Sequence, residues 1–272
     1  MALPLTIELA LAMLATGLVA GFAAGLLGVG GGIVIVPVLE AALGFLGVDP
    51  SVRMHVAVAT SLATIVPTSI ASARAHHARG ALDLDLAGRW CIPLLLGAVG
   101  GSILATQVHT RVLAAVFGCA ALLVATKMIL PLDGRFVRDG VPRGVLGASV
   151  PAAIGAVSAM MGIGGGTLSV PLLTLMRQPI HRAVATAALF GLVISVPGTI
   201  AYLLARPDVA LPPGNVGLVN LMGLAVIAPV TMLTAPWGAR AAHALSARAL
   251  SGAFGVFLLV VALRMLYRAW NA

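Results

Sequence analysis

Apolar residues form ten runs along this chain, and short polar stretches separate them. A membrane-spanning helix needs about 20 consecutive, mostly apolar residues. The predicted segments, in chain order, are Leu5–Leu27, Ile33–Gly47, Val56–Ala73, Leu86–Val108, Val112–Leu132, Gly144–Met161, Thr167–Met176, Ala183–Ala205, Val216–Ala239 and Ala249–Tyr267. Five precede a polar stretch at 133–143 and five follow it. The pattern predicts an all-α polytopic membrane protein.

The second and seventh segments are shorter than the others, and each comes directly after a cluster of glycines. Neither is long enough to cross a bilayer comfortably by itself. If both cross, the chain has ten membrane segments. If both are re-entrant, it has eight complete spans. The sequence leaves both counts open, so the prediction is 8–10 membrane segments with two glycine-broken hairpins.

The two halves carry the same motifs in the same order, which indicates an internal repeat. Gly28-Val-Gly-Gly-Gly32 followed by Pro37 corresponds to Gly162-Ile-Gly-Gly-Gly166 followed by Pro171. Further corresponding pairs are His55 with His181, Thr60 with Thr186, Pro67 with Pro197, Ile70 with Ile200, Ala71 with Ala201, Gly101 with Gly238, and Phe117 with Phe254. Five crossings per half would invert one half relative to the other. We predict a first repeat over 1–132, a linker over 133–143 and a second, inverted repeat over 144–272.

Composition supports a membrane protein, and the placement of the basic residues shows that the positive net charge does not indicate nucleic-acid binding. Of the 272 residues, 60% are hydrophobic and 9% are charged, whereas soluble domains carry about 25% charged residues. Mean hydropathy is +1.10. The net charge of +8 comes from basic residues scattered through short loops, without long runs or interleaved aromatics. This distribution argues against nucleic-acid binding.

Arginine placement predicts the orientation. If all ten segments cross, the loops on one side carry Arg74, Arg79, Arg89, Arg135, Arg138, Arg143, Arg177, Arg182, Arg240 and Arg248. The other side carries Arg53, Arg111, Arg206, Arg264 and Arg268. Cytoplasmic loops are enriched in Lys and Arg. The linker 133–143 is therefore predicted to be cytoplasmic, with both termini external, in a multi-pass protein of the bacterial inner membrane.

The glycine clusters are the strongest indication of function. Each Gly costs a helix interior about 1 kcal/mol relative to Ala, and in a bilayer such breaks occur only inside protein or beside a watery cavity. Paired breaks at corresponding repeat positions point to a transport site. Helix N-termini starting at Ile33 and Thr167 would offer free N–H groups to an anion. The alternative is that the glycines only allow close helix crossing. Neither cluster is a Walker loop or a dinucleotide fingerprint, so no cofactor is predicted.

These motifs resemble those of the sulfite exporter TauE/SafE family. The first-half resemblance rests on residues 25–32, Pro37 and the Ala-Thr-Ser sequence at 59–61. The second-half resemblance rests on 161–166, Pro171 and the Ala-Thr-Ala sequence at 185–187. The resemblance covers essentially the whole chain. It implies a permease for sulfite, thiosulfate or an organosulfonate, working by alternating access. Ala187 stands where the first half has Ser61, which weakens a symmetric pair of hydroxyls.

Hydroxyl groups near the glycine clusters are candidates to complete the coordination of an oxyanion. The alternative for each is a hydrogen bond to a carbonyl of its own helix. The predicted substrate-binding residues are Gly28, Gly30, Gly31, Gly32, Thr60, Ser61, Gly162, Gly164, Gly165, Gly166, Thr167 and Thr186. Three further residues are candidates for proton coupling, namely Glu40, His55 and His181. The alternative for all three is a solvated position at the membrane interface.

Other chemistries have weaker support. His76 and His77, with Asp83 and Asp85 nearby, share a loop with several arginines, which favours a solvated loop over a metal site. No nucleophile–base arrangement is visible, so the protein is not predicted to be an enzyme. The expected partners are a small sulfur-containing anion and the lipid bilayer, and a homodimer is left open. A passive anion channel and a non-transporting membrane assembly protein are the alternative functions.

Overall fold

The computed structural model describes residues 2–27, 31–78, 80–130, 144–243 and 247–271. Its helices in the first half are α1 (Ala2–Leu27), α2 (Gly32–Phe45), α3 (Pro50–Ala78), α4 (Leu84–Gln107) and α5 (Thr110–Ile129). Those in the second half are α6 (Val145–Met161), α7 (Gly166–Leu175), α8 (Ile180–Leu204), α9 (Leu221–His243) and α10 (Ala247–Asn271). The predicted linker 133–143 lies outside the described residues.

Seven of these helices are long and apolar enough to cross a membrane, whereas α2, α6 and α7 are shorter in their described parts. Large apolar side chains remain exposed along the outer helices, for example Leu96, Leu123 and Leu233. In a soluble protein such faces would be covered. The chain is therefore an all-α polytopic membrane protein, as the apolar pattern predicts.

The helices pair in a way that relates the two halves by a pseudo-two-fold axis. Helix α1 packs along α9, and its counterpart α6 packs along α4. The counterparts α3 and α8 pack against each other, as do α5 and α10. A symmetric exchange of this kind is what two structural repeats around a two-fold axis produce.

The direction of the paired helices shows that the repeats are inverted. A Cβ placed on Gly191 of α8 would meet Ser69, and one on Gly198 would meet Leu62. Residue numbers therefore rise along α8 as they fall along α3. Corresponding helices that run antiparallel require an axis perpendicular to them. In a bilayer this axis lies in the membrane plane, as the odd number of segments per half predicts.

One segment differs from its prediction. Val216 was expected to open the ninth membrane segment, but it lies in a short antiparallel hairpin, β1 (Asn215–Val216) and β2 (Val219–Asn220), and α9 begins after it. The hairpin turns through Gly217 at φ +55°, whose backbone lies so close to α8 that a Cβ would sit 2.3 Å from Leu203 O. Only glycine fits this turn. The apolar composition of the hairpin made it indistinguishable from a helix start.

Candidate functional site: a cavity between two glycine-broken helices

The two short helices begin at glycines that cannot cap them. Gly31 precedes α2 and Gly165 precedes α7, and neither has a side chain to accept a hydrogen bond from the first helical turn. The first bonds of α2 run from Val34 N and Ile35 N to Gly31 O, at 3.0 and 2.8 Å. The N–H groups that precede them have no acceptor within the helix. Each break therefore presents backbone donors and the positive end of a helix dipole.

A partly open cavity of about 330 Å³ lies where these two helix starts meet α3, α8 and α9. Its lining includes the predicted residues Gly31, Gly164, Gly165 and Gly166. No lining residue is charged. The lining comes from the second half of α3 and the first half of α8, which places the cavity towards the end of the molecule that is predicted to be cytoplasmic.

Hydroxyl groups supply the polar side of the lining. Thr64, Thr68 and Ser72 recur every fourth residue on one face of α3, with Ser69 beside them. The threonine hydroxyls donate to carbonyls of their own helix, Thr64 to Ser61 O at 2.7 Å and Thr68 to Ile65 O at 3.0 Å. Ser69 and Ser72 have no hydrogen-bond partner among the described residues. None of these four residues is predicted from the sequence, although their spacing on an otherwise apolar helix is a usable signal.

Gly32 and Gly162 do not line the cavity; they bring the two repeats into contact. A Cβ on Gly32 would lie 2.6 Å from Gly162 O and 2.9 Å from Ile163 Cα. Ser61 Oγ donates to Gly162 O at 2.7 Å. Gly162 ends α6 at φ +69°, a conformation that favours glycine. The glycine clusters thus meet in the interior between the repeats. Gly28 and Gly30 lie outside the described residues.

Thr60 and Thr186 occupy matching positions that do not line the cavity. Thr60 Oγ1 accepts a hydrogen bond from Asn220 N at 3.0 Å, and Thr186 Oγ1 accepts one from Asp83 N at 3.1 Å. Asn220 and Asp83 in turn accept from the first turns of α9 and α4, at Gly223 N and Leu86 N. Each threonine of one repeat therefore holds a helix cap of the other. A direct role for these threonines in anion binding stays a prediction.

Thr60→Val and Thr186→Val should each lower stability, because a backbone N–H that is buried at Asn220 and partly buried at Asp83 loses its acceptor. The expected cost is about 1–3 kcal/mol, seen as a lower unfolding temperature of the purified protein. The Thr16→Val variant is a matched control, since the hydroxyl of Thr16 only bonds its own helix at Ala12 O. Normal unfolding temperatures with a raised half-saturation concentration would instead favour direct anion contact.

The other predicted site residues lie away from the cavity. Thr167 is buried at the start of α7, one residue beyond the lining. Glu40 is 2% exposed in α2 and forms ion pairs with Arg264 and Arg268 of α10. His55 is also buried, in contrast to the interface position expected for it. Its Nε2 lies 3.0 Å from Val108 O in the turn between α4 and α5. His181 is exposed at the start of α8.

The ion pair of Glu40 has a counterpart in the other repeat. Lys127 of α5 corresponds to Arg264 of α10, and its Nζ donates to Pro171 O of α7 at 2.9 Å. A basic residue of each outer helix thus holds the short helix of the opposite repeat. The described residues include no cluster of His, Cys, Asp and Glu suited to a metal ion. Asp83, one of the loop acids considered for a metal, caps α4 instead.

The fold and the cavity define a membrane transporter class built from two inverted repeats with broken helices. The family model described as "Sulfite exporter TauE/SafE" matches residues 13–265. The chain belongs to this family, as the glycine motifs indicate.

Curated relatives carry the same general description. A protein of Haemophilus influenzae named "Probable membrane transporter protein" is 32% identical over 256 residues, which cover 93% of this chain and 96% of that protein. One from Xylella fastidiosa with the same name is 29% identical and covers 98% of both chains. "Probable membrane transporter protein YunE" of Bacillus subtilis is 26% identical over 70% of this chain and 76% of its own. No solved structure matches the chain. These relatives indicate a transporter rather than an enzyme.

Proposed function

We propose that this transporter moves a small sulfur-containing anion, namely sulfite, thiosulfate or an organosulfonate, through the cavity between α2 and α7. The observation that carries the proposal is the convergence of two uncapped helix starts on one cavity. Backbone N–H groups at helix N-termini bind oxyanions without a charged side chain. The free hydroxyls of Ser69 and Ser72 add two donors for further oxygens of the same anion.

The size and polarity of the cavity fit this class of substrate. Small-molecule sites measure about 300–1,000 Å³, so a cavity of about 330 Å³ suits a small ligand. Because no arginine or lysine lines it, an anion is held by dipoles and hydroxyls alone. Such a site binds less tightly than an ion pair and releases its ligand more readily, which a carrier requires. The family description, sulfite exporter, favours the sulfur oxyanion among small anions.

A carrier with alternating access fits the packing better than a channel does. Beyond the cavity, Ser61 is fully buried and bonded to Gly162, and Gly32 packs directly on the same glycine. These contacts join the repeats across the path that a continuous pore would need. Inverted repeats provide a second arrangement in which the opposite end opens. We therefore propose a protein that exposes its site to one side at a time.

Flux into proteoliposomes tests the proposal. Sulfite, thiosulfate, sulfoacetate, taurine and sulfate are offered separately, with acetate as a carboxylate control. A carrier shows uptake that saturates with concentration and accelerates when the same anion is loaded inside. Ohmic anion current without exchange would identify a channel. Absence of flux and of any thermal stabilisation by all these anions would support a non-transporting role.

Glu40→Gln tests proton coupling, which we propose for this buried carboxylate. The amide keeps the shape of the side chain but cannot exchange a proton. If Glu40 carries the coupling proton, the variant still exchanges anion between equal concentrations but no longer accumulates it against a gradient. Uptake with and without an imposed pH gradient measures this. Accumulation equal to that of the unmodified protein would assign Glu40 a purely structural role in its ion pairs with α10.

A further inference from the structure

Among the described residues, five buried hydroxyl groups lack any hydrogen-bond partner, and all five lie in the second repeat. They belong to Ser158 of α6, Ser169 of α7, and Ser195, Thr199 and Tyr202 of α8. Among the described residues, the only other side-chain oxygen of this kind is Glu40 Oε2. An unsatisfied buried polar group destabilises the folded state. Five such groups in one region require an explanation.

The internal repeat supplies one for three of these hydroxyls, because they correspond to residues that line the cavity. The motif at Gly31 and Gly165 aligns Ala24 with Ser158 and Ile35 with Ser169. Since α3 and α8 are uninterrupted helices, the matching bonds of Thr60 and Thr186 set one register along both, which pairs Ser69 with Ser195. The first-repeat partners Ala24, Ile35 and Ser69 all line the cavity. Thr199 and Tyr202 lie further along α8, beyond the positions that correspond to the lining.

The pseudo-two-fold axis therefore places these hydroxyls at the position that is related to the cavity by symmetry, towards the opposite end of the molecule. That position is closed in this structure. The hairpin β1–β2 covers the end of α8, where Leu218 N donates to Tyr202 O at 2.9 Å. Asn220 N, at the end of the hairpin, donates to Thr60. The connection between α3 and α4, which corresponds to the segment between α8 and α9, is much shorter.

We propose that Ser158, Ser169 and Ser195 form the second half of the oxyanion site and line the cavity when the opposite end opens. This inference rests on the proposed transport of a small oxyanion. In the present conformation the hydroxyls are buried and unpaired. In the other conformation they donate to the oxygens of the anion, while Ser69 and Ser72 are enclosed in turn. Because burying unpaired hydroxyls is unfavourable in free energy, it favours opening when an anion is available to accept hydrogen bonds from them.

Ser158→Ala and Ser195→Ala separate this role from a structural one. Removing an unpaired buried hydroxyl leaves the unfolding temperature unchanged or raises it, because no hydrogen bond is lost in this conformation. The half-saturation concentration for sulfite rises roughly tenfold in each variant, since one donor to the anion is lost. Thr16→Val serves as the control, with unaltered half-saturation. Unchanged half-saturation in both serine variants would overturn the proposal.

Thiol labelling tests the geometry directly. Cys91 and Cys119 are first replaced by Ala, and Ser69→Cys or Ser195→Cys is introduced. A membrane-impermeant maleimide is applied to right-side-out and inside-out vesicles. Ser69→Cys reacts from one side only, and Ser195→Cys reacts only from the opposite side. Failure of Ser195→Cys to react, or reaction from the same side as Ser69→Cys, in vesicles that transport anion overturns the inference while the proposed function stands. Loss of all anion flux in the unmodified protein overturns the proposed function itself.

Discussion

Gly31→Leu is expected to abolish anion transport while the protein remains inserted and folded. Gly31 has φ −66° and ψ −26°, ordinary helical values that leucine adopts without strain. A Cβ at this position meets the flexible end of Ile35 at 3.1 Å and makes an ordinary contact with Ala24 Cβ at 3.9 Å. The rest of a leucine side chain must then enter the cavity that Gly31 lines. It occupies the space of the anion and shields the N–H groups at the start of α2.

The measurement compares flux with the amount of folded protein. Size-exclusion profiles and unfolding temperatures of Gly31→Leu should match those of the unmodified protein, while flux falls to the background of empty liposomes. Gly31→Ala is the matched control, because one methyl group against Ile35 leaves most of the cavity free and most of the flux intact. Normal transport by Gly31→Leu at equal expression would show that the breaks are packing features and not the binding site.

The repeat-related variant Gly165→Leu is also expected to lose transport. In this variant, disturbed packing adds to the blocked cavity. A Cβ on Gly165 would lie 2.7 Å from Phe190 Cβ and 3.2 Å from the Phe190 carbonyl carbon. Phe190 is fully buried and stacks on Trp90, with 5.6 Å between ring centroids. The substitution therefore disturbs packing between α7, α8 and α4. Only the Gly31 variants separate blocked binding from lost structure.

Gly101→Leu is expected to prevent stable folding, whereas Gly100→Leu, one residue earlier on the same helix, should have little effect. A Cβ on Gly101 would lie 2.4 Å from Ala156 O and 2.6 Å from Ala156 Cα. These atoms belong to the backbone of α6 and cannot move aside as a side chain would. Close approach of small residues is the main attraction between helices in a bilayer. A leucine here forces α4 and α6 apart.

The expected cost for Gly101→Leu reaches or exceeds the upper end of the about 1–3 kcal/mol of ordinary overpacking. Yield of monodisperse protein and unfolding temperature in detergent measure it. Gly100 is exposed and has no atom within 4 Å of a placed Cβ, so its leucine variant extends into lipid. The two variants have the same composition and the same helix propensity. Equal stability of the two would contradict the close α4–α6 crossing.

The charged residues illustrate why burial could not be predicted from the chain alone. Glu40 lies inside the short second segment and His55 lies directly before the third, and for both the sequence favours a solvated interface position. In the structure Glu40 is covered by arginines from α10, and His55 is enclosed by the turn between α4 and α5. Both partners are distant in the sequence, so no local pattern indicates them. The apolar pattern predicts the helices themselves, but it does not predict which helices pack against each other.

The sequence by itself determined that this protein lies in a lipid bilayer, that its two halves are related, and where its helices break. Long apolar runs require lipid, repeated motifs require related halves, and clustered glycines cannot sustain a helix; all three follow from local chemistry. The tertiary structure alone decided which glycines line the cavity and which pack between the repeats. Gly31 lines a cavity, whereas Gly32 touches Gly162 of the other repeat, because a neighbour from a distant segment faces one and not the other. It also decided that Thr60 and Thr186 hold helix caps, since their partners lie more than 100 residues away.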